Sequence, residues 1–247
     1  MMLCDFHIHS TFSDGRLTIP QLVDLYGSRG FGAIGITDHL CEERSILGKA
    51  AHLLDRTLTQ SNFAHYIETL NREAERAWRQ YRMLVLPGFE LTKNHWKNDR
   101  SSHIVVLGAR QYISADQDIF ALLGQVREMG AISIAAHPVH TLEWEPQTYH
   151  LWSRREELAT AFDAWEVASG RHIFEPVLKS GLPMIANSDL HHPRQISSWK
   201  TVLSGERHPE AVLEKIRQQK LEFRFYTDTA GDEIRARTPL QASASVA

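Results

Sequence analysis

Two cysteines, Cys4 and Cys41, cannot build a disulfide framework in a chain of 247 residues, and such sparing use fits a reducing cytosol. No apolar stretch reaches the length of a bilayer, and no charged-then-apolar leader opens the chain. The expectation is therefore a cytoplasmic protein with no membrane partner. Long basic runs are also missing, and the formal net charge is −3. Proteins that track along duplex nucleic acid carry a concentrated basic patch, so no long nucleic acid is expected as a partner. A small phosphorylated substrate stays open, because bound cations can meet its charge. No Gly-x-Ser-x-Gly elbow and no Walker-type glycine loop occurs. No internal repeat or Gly/Ser/Pro-rich linker divides the body, and the length suits one barrel-sized domain.

What is present is a set of histidines and carboxylates at the ends of short apolar runs. The string from Cys4 to Gly15 reads as a strand that delivers His7 and His9 to one side. Cys4, Phe6 and Ile8 would then face the other side, under a helix. Asp14-Gly15 forms a turn that brings a carboxylate back over the strand end. Two imidazoles and a carboxylate suit a borderline divalent metal such as zinc, iron or manganese. Further runs end in Asp38-His39, Glu90, His137 and Asp189-x-His191, while His103 starts its run. Such runs fit strands buried on both faces of a parallel sheet, and polar residues at several strand ends fit a barrel active site.

Taken together, His7-x-His9 with Asp14, Thr37-Asp38-His39, Glu90, His103, His137-Pro138 and Asp189-x-His191 resemble the PHP (polymerase and histidinol phosphatase) domain family. The resemblance runs from near the N-terminus to residue 191. It implies an α/β fold, a distorted (β/α)7 TIM-like barrel in a single domain over 1–228, with 229–247 as a disordered extension. It also implies two to three divalent transition-metal ions (zinc, manganese or iron) held by His7, His9, Asp14, His39, Glu90, His103, His137, Asp189 and His191. By that pattern His7, His9, Glu90 and Asp189 surround one ion. Glu90 bridges to a second with His103 and His137, and Asp14, His39 and His191 take a third. The implied activity is metal-dependent hydrolysis of small phosphate esters by a metal-bridging hydroxide, with Glu90, Asp189 and His191 catalytic. A phosphodiesterase or exonuclease on short oligonucleotides, and an inactive metal-binding accessory domain, are the alternatives.

Other residues carry weaker signals. His95 competes with His103 as a ligand. Asp5 and Asp38 read as groups that orient histidines, or as turn formers. His140 and His192 read as solvent-facing. Cys4 reads as core packing, and Cys41 as a thiol near the site or simply buried. Arg171 and Arg194 are candidates for a bidentate phosphate clamp, a surface salt bridge being the alternative for each. Trp96, Trp144 and Trp152 could stack on a substrate ring or cap the barrel rim. The polar segment 92–102 is expected to shape the pocket mouth. Helices are expected over Pro20–Ser28 capped by Thr18, about 62–80, from Asp116 to Gly130, over 173–179, and from His208-Pro209. A strand is expected over 162–167.

Overall fold

The computed structural model describes residues 1–95, 100–139 and 148–228. Its strands are β1 (Met2–Asp5), β2 (Ala33–Ile36), β3 (His39–Cys41), β4 (Leu84–Lys93), β5 (Ser102–Leu107), β6 (Ile132–Ala135), β7 (Ala164–Ser169), β8 (His172–Ile173), β9 (Met184–Asn187), β10 (Trp199–Leu203) and β11 (Leu221–Phe225). They join in the order β11-β10-β1-β2-β4-β5-β6-β7-β8, with β3 on β4 and β9 on β7. The sheet curls until its ends meet. Past β1, Ile8 and Leu190 form a parallel bridge, and the His9 amide donates to the Leu190 carbonyl at 2.9 Å. The wall so formed runs β1, β2, β4, β5, β6, β7, β9, which is the distorted TIM-like barrel of the sequence reading.

Within this wall, one strand departs from the expected parallel arrangement. β5 is antiparallel to both β4 and β6. The reason is local: β4 continues to Lys93 and β5 begins at Ser102, so the two form a hairpin rather than a crossover. Thr92 and Ser102 thus lie buried in strands, and the polar insertion shrinks to 94–101, of which Trp96 and its neighbours to Asp99 fall outside the described residues. β10 and β11, absent from the sequence expectation, flank β1 as an antiparallel pair. The alternation Leu221-Glu-Phe-Arg-Phe225 is the signal that marks β11.

Side-chain caps start three of the helices, those opening at Ile19, Ile46 and Ile119. Thr18 and Gln21 form a capping box at the head of α1 (Ile19–Gly27). The short α2 (Ile46–Leu53) precedes α3 (Phe63–Tyr81). α4 (Ile119–Glu128) starts later than expected because Asp118 caps it; Asp116 instead accepts the amides of Glu43 and Arg44. α5 (Tyr149–Ser153) and α6 (Arg155–Leu158) are single turns. α7 (Glu175–Leu178) is shorter than expected, with Ile173 drawn into β8. α8 (Pro209–Arg217) closes a smaller apolar cluster in which Cys4 and Phe6 meet Leu107, Ile134 and Val212. Ile8 belongs to the larger cluster with α1 and α3, so Cys4, Phe6 and Ile8 do not share a face as expected. The ladder of β1 stops at Asp5. Beyond it, side chains grip the backbone: Asn187 Oδ1 takes the Phe6 amide at 3.0 Å and Thr37 Oγ1 the Ile8 amide at 3.2 Å. Among the described residues no helix is long and apolar enough to cross a membrane.

The seam between β1 and β9 holds a buried ion pair. Lys200 Nζ lies 2.5 Å from Asp5 Oδ2 and 2.8 Å from Ser198 Oγ, with both charged side chains fully buried. Tyr26 and Ser188 hydroxyls donate to the same carboxylate at 2.7 and 2.6 Å. Removing one partner leaves a buried charge without compensation. Lys200→Ala should therefore cost about 3–5 kcal/mol in urea unfolding, and Asp5→Asn with Lys200→Met should recover most of it.

Candidate metal centre

The strand ends bring the candidate residues to one mouth. β1 delivers His7 and His9, β3 His39, β4 Glu90, β6 His137, and β9 Asp189 and His191. The reversal of β5 places its start, and hence His103, at that same end. His39 pairs with Glu90 across β3–β4, and Thr92 with His103 across β4–β5. Asp14 arrives on the turn 10–15. Gly15 is required there, since a Cβ would sit 2.2 Å from the His9 carbonyl oxygen.

Glu90 is the hub, and it is fully buried. Its Oε1 lies 3.1 Å from His103 Nδ1, 3.3 Å from His7 Nε2 and 3.5 Å from His137 Nε2. Its Oε2 lies 2.6 Å from His39 Nδ1 and 3.7 Å from His9 Nε2. Asp189 Oδ1 meets His9 Nε2 at 3.2 Å and His7 Nε2 at 3.3 Å. Asp14 Oδ1 meets His191 Nε2 at 3.2 Å and His39 Nε2 at 3.6 Å. Four overlapping groups have donor atoms within 4.8 Å of one another: His9-Asp14-His39-His191, His7-His137-Asp189, His7-His9-Glu90 and His39-Glu90-His103. All nine sequence candidates fall in these groups; His95 falls in none.

The donor set fits cations on an observation of its own. His7 Nε2, both ring nitrogens of His9 and Glu90 Oε2 are buried with no hydrogen-bond partner. Buried polar atoms are normally satisfied, so orphans among these clustered donors mark a place for an electrophile, to which each imidazole can offer one nitrogen. The backbone is bent to suit. His137 and Asp189 have φ of 27° and 52°, conformations that side chains other than glycine adopt at a cost.

The carboxylates set the protonation. Burial opposes charge on Glu90, yet His103, His7 and His39 hold it well below its ordinary range. Asp189 is held low in the same way against burial by His7 and His191. Burial likewise opposes charge on the histidines. Asp189, Glu166 and Glu90 nonetheless raise His7, and Asp189 and Asp14 raise His191 to about 10. His9, desolvated and flanked by His191 and His39, falls to about 3.

The histidines are oriented by groups the sequence reading passed over. Glu166 is fully buried; its Oε1 lies 2.9 Å from His7 Nδ1 and its Oε2 accepts the His137 amide at 2.7 Å. A charged residue inside the apolar run Ala164–Ala168 was the available signal. Thr92 Oγ1 and Thr148 Oγ1 lie 2.8 and 2.9 Å from Nδ1 of His39 and His137. Asp5 and Asp38 do not orient histidines. Asp5 fixes Ser188, and Asp38 accepts from Ser10 and Ser13 and so shapes the turn that carries Asp14.

A cavity of about 540 Å³ opens over the cluster, lined by Asp14, His39, His103, His137, Asp189 and His191 on one side. Cys41 lines it too, its buried thiol pushed up to about 11 by desolvation. Arg171 and Arg194 do not line it. Arg171 stacks over the Phe225 ring, and Arg194 sits exposed in the turn Pro193–Ile196, whose head His192 caps. Trp152 is buried against Trp165 and serves as packing. Trp96, His140 and Trp144 lie outside the described residues, as does the extension from residue 229.

Two outcomes follow. Glu166→Gln should lower affinity for zinc or manganese by about 10–100-fold in a chelator competition, because it removes the acceptor behind His7. Cations compete with protons for histidine nitrogens. Because His7 and His191 are raised, binding must expel protons at neutral pH, so apparent affinity should rise with pH by about tenfold per unit for each proton released. Proton release measured in dilute buffer between pH 6 and 8 checks this.

Comparison with known proteins bears on the fold and the family. The chain resembles a two-domain protein from Bacteroides vulgatus described as containing a predicted PHP-like metal-dependent phosphoesterase, with TM-score 0.67 and 22% identity. That match covers 91% of this chain and 65% of the other. PsfC from Pseudomonas syringae matches with TM-score 0.57 and 16% identity over 95% of each chain. An amidohydrolase from Chromobacterium violaceum, with bound sulfate and no metal, matches with TM-score 0.52 and 16% identity over 92% of this chain and 99% of its own. No curated protein matches. The profile of the PHP domain matches residues 5–166, two thirds of the sequence, and the chain belongs to the PHP domain family.

Proposed function

We propose that this protein is a metal-dependent phosphoesterase that hydrolyses small phosphate esters. The observation that carries the reading is the convergence of six histidines and three carboxylates, with orphaned buried nitrogens, at one cavity: six of the nine line it, and His7, His9 and Glu90 are buried among them. A single tetrahedral ion needs about four donors, so nine suit two to three divalent ions of the zinc, manganese or iron type. His7, His9, Glu90 and Asp189 would hold the deepest ion. His103 and His137 would share Glu90 with a second, and Asp14, His39 and His191 would hold one at the mouth. Bound there, such ions would activate water as a nucleophile and neutralise phosphate oxygens.

The chain's own groups supply the rest. Glu90 reaches five histidines, so it is the residue able to bridge neighbouring ions. Asp189 and His191 sit on the cavity wall, within reach of a bound ester. Glu166 and the two threonines fix which imidazole nitrogen faces the cavity. The volume suits a small molecule, which favours a compact ester over an oligonucleotide.

The test is phosphate release by purified protein loaded with zinc, manganese or iron, alongside elemental analysis. Roughly two to three ions per chain and turnover of a monoester are expected. Glu90→Gln should keep the fold by circular dichroism and lose about a thousandfold or more in kcat/KM. Activity within about tenfold of the parent would remove Glu90 from the bridging role.

A further inference from the structure

Helix α2 is poorly buried for its composition. Of its eight residues Gly48 alone is buried. Ile46 and Leu53 are exposed, and Leu54, just past its end, is 64% exposed. Polar contacts at the two ends hold the helix in place. Ser45 Oγ caps the Gly48 amide at 2.9 Å, and His52 Nε2 lies 3.2 Å from the Cys41 carbonyl oxygen. Its side toward the metal centre is left bare: Ala50, Ala51 and Leu54 line the same 540 Å³ cavity as Asp14, His39 and Asp189.

Arg56 completes this wall. Among the described residues lining the cavity it is the one fixed cation, and its exposed side chain makes no ion pair with a described carboxylate. It also borders a second hollow of about 360 Å³ beside Asp14. A guanidinium without a carboxylate partner, next to a cluster suited to cations, is matched to an oxyanion. An apolar surface across the same cavity is matched to carbon. The volume admits a drug-sized molecule but not a helix or a second chain.

We propose that α2 and Arg56 form the substrate subsite. Arg56 takes a non-bridging phosphate oxygen, and Ala50, Ala51 and Leu54 carry a flat apolar or aromatic face of the esterified alcohol. The substrate class is then a monoester of an alcohol with such a face, rather than of a polyol. This assignment rests on the phosphoesterase reading and names its substrate side. It puts the clamp on Arg56 instead of Arg171 or Arg194.

The test is calorimetric binding of two non-hydrolysable probes, 1-naphthylphosphonate and methylphosphonate, to the metal-loaded full chain. The parent should bind the naphthyl probe at least about tenfold tighter, as burial of one ring face requires. Leu54→Asp, at an exposed position that tolerates charge, should erase most of that preference. Arg56→Ala should weaken both probes by about tenfold, and Arg56→Lys should restore part of the loss. Metal content should stay constant throughout, since none of these residues is a candidate ligand. Equal affinity for the two probes, or Leu54→Asp lowering both alike, overturns the subsite. If metal-loaded parent releases no phosphate from 1-naphthyl phosphate or glycerol phosphate, the activity reading fails, while the phosphonate preference still decides the subsite.

Discussion

A carboxylate buried at the floor of a barrel needs compensating positive charge, and Glu90 is such a carboxylate. Desolvation alone would push its proton back on. Five imidazoles prevent that: His39 from β3, His103 from β5, His7 and His9 from the segment after β1, and His137 from the segment after β6. The requirement is geometric as much as electrostatic, because one segment supplies at most two of these imidazoles and the rest must arrive from other strands. A wall of strands whose ends meet at one mouth satisfies it, and a layered sandwich would not. The curl of the sheet and the chemistry of its mouth are in this sense one constraint.

The same constraint explains the two irregular features of the wall. One is the reversed β5. A hairpin from β4 returns the chain beside Glu90, and His103, the second residue of the returning strand, then faces the acid the chain has just left. The other is the loss of ladder pairing after Asp5. Regular pairing would hold Phe6 to His9 flat against β2, whereas side-chain grips from Asn187 and Thr37 let the segment turn both imidazoles onto Glu90 and Asp189. The Asp5–Lys200 pair secures this seam from below. Asp5 also accepts the Ser188 amide at 2.9 Å, and Ser188 precedes Asp189, whose backbone sits at positive φ. A buried ion pair contributes little net stability, but it fixes position strongly, since its geometry has few alternatives.

Much of the mouth was legible in the sequence, because ligands at strand ends leave a local mark: an apolar run, then a histidine or an acid. His103 reversed that mark and read as the weakest candidate, and the strand reversal is what accounts for it. Residues that act from inside a strand leave a fainter mark. Glu166 is hidden within an apolar run, and Lys200 lies in a strand whose pattern its charge disrupts. Thr92 and Thr148 look like ordinary strand and loop residues; only the fold shows that each faces an imidazole. The starts of α1, α2 and α4 follow side-chain caps, and α4 begins later than expected because Asp118 caps it while Asp116 is taken by the amides of Glu43 and Arg44.

Substrate recognition was the least legible part, for a physical reason. Metal ligands must be histidine or carboxylate, so residue type narrows the search. An apolar wall can be built from any small aliphatic side chain, and a single arginine is indistinguishable from the many that solvate a surface. Arg171 and Arg194 drew attention because they follow ligand strands, yet one stacks on Phe225 and the other lies outside the cavity. α2 and Arg56 come to the cavity through the crossover between β3 and α3. Their placement depends on Asp116 holding the preceding loop, Ser45 capping the helix and Cys41 receiving its end. Each of those contacts joins residues with no shared motif. The barrel wall thus gathers its histidines and acids through types of residue, while the crossovers over it shape the far side of the cavity through positions alone.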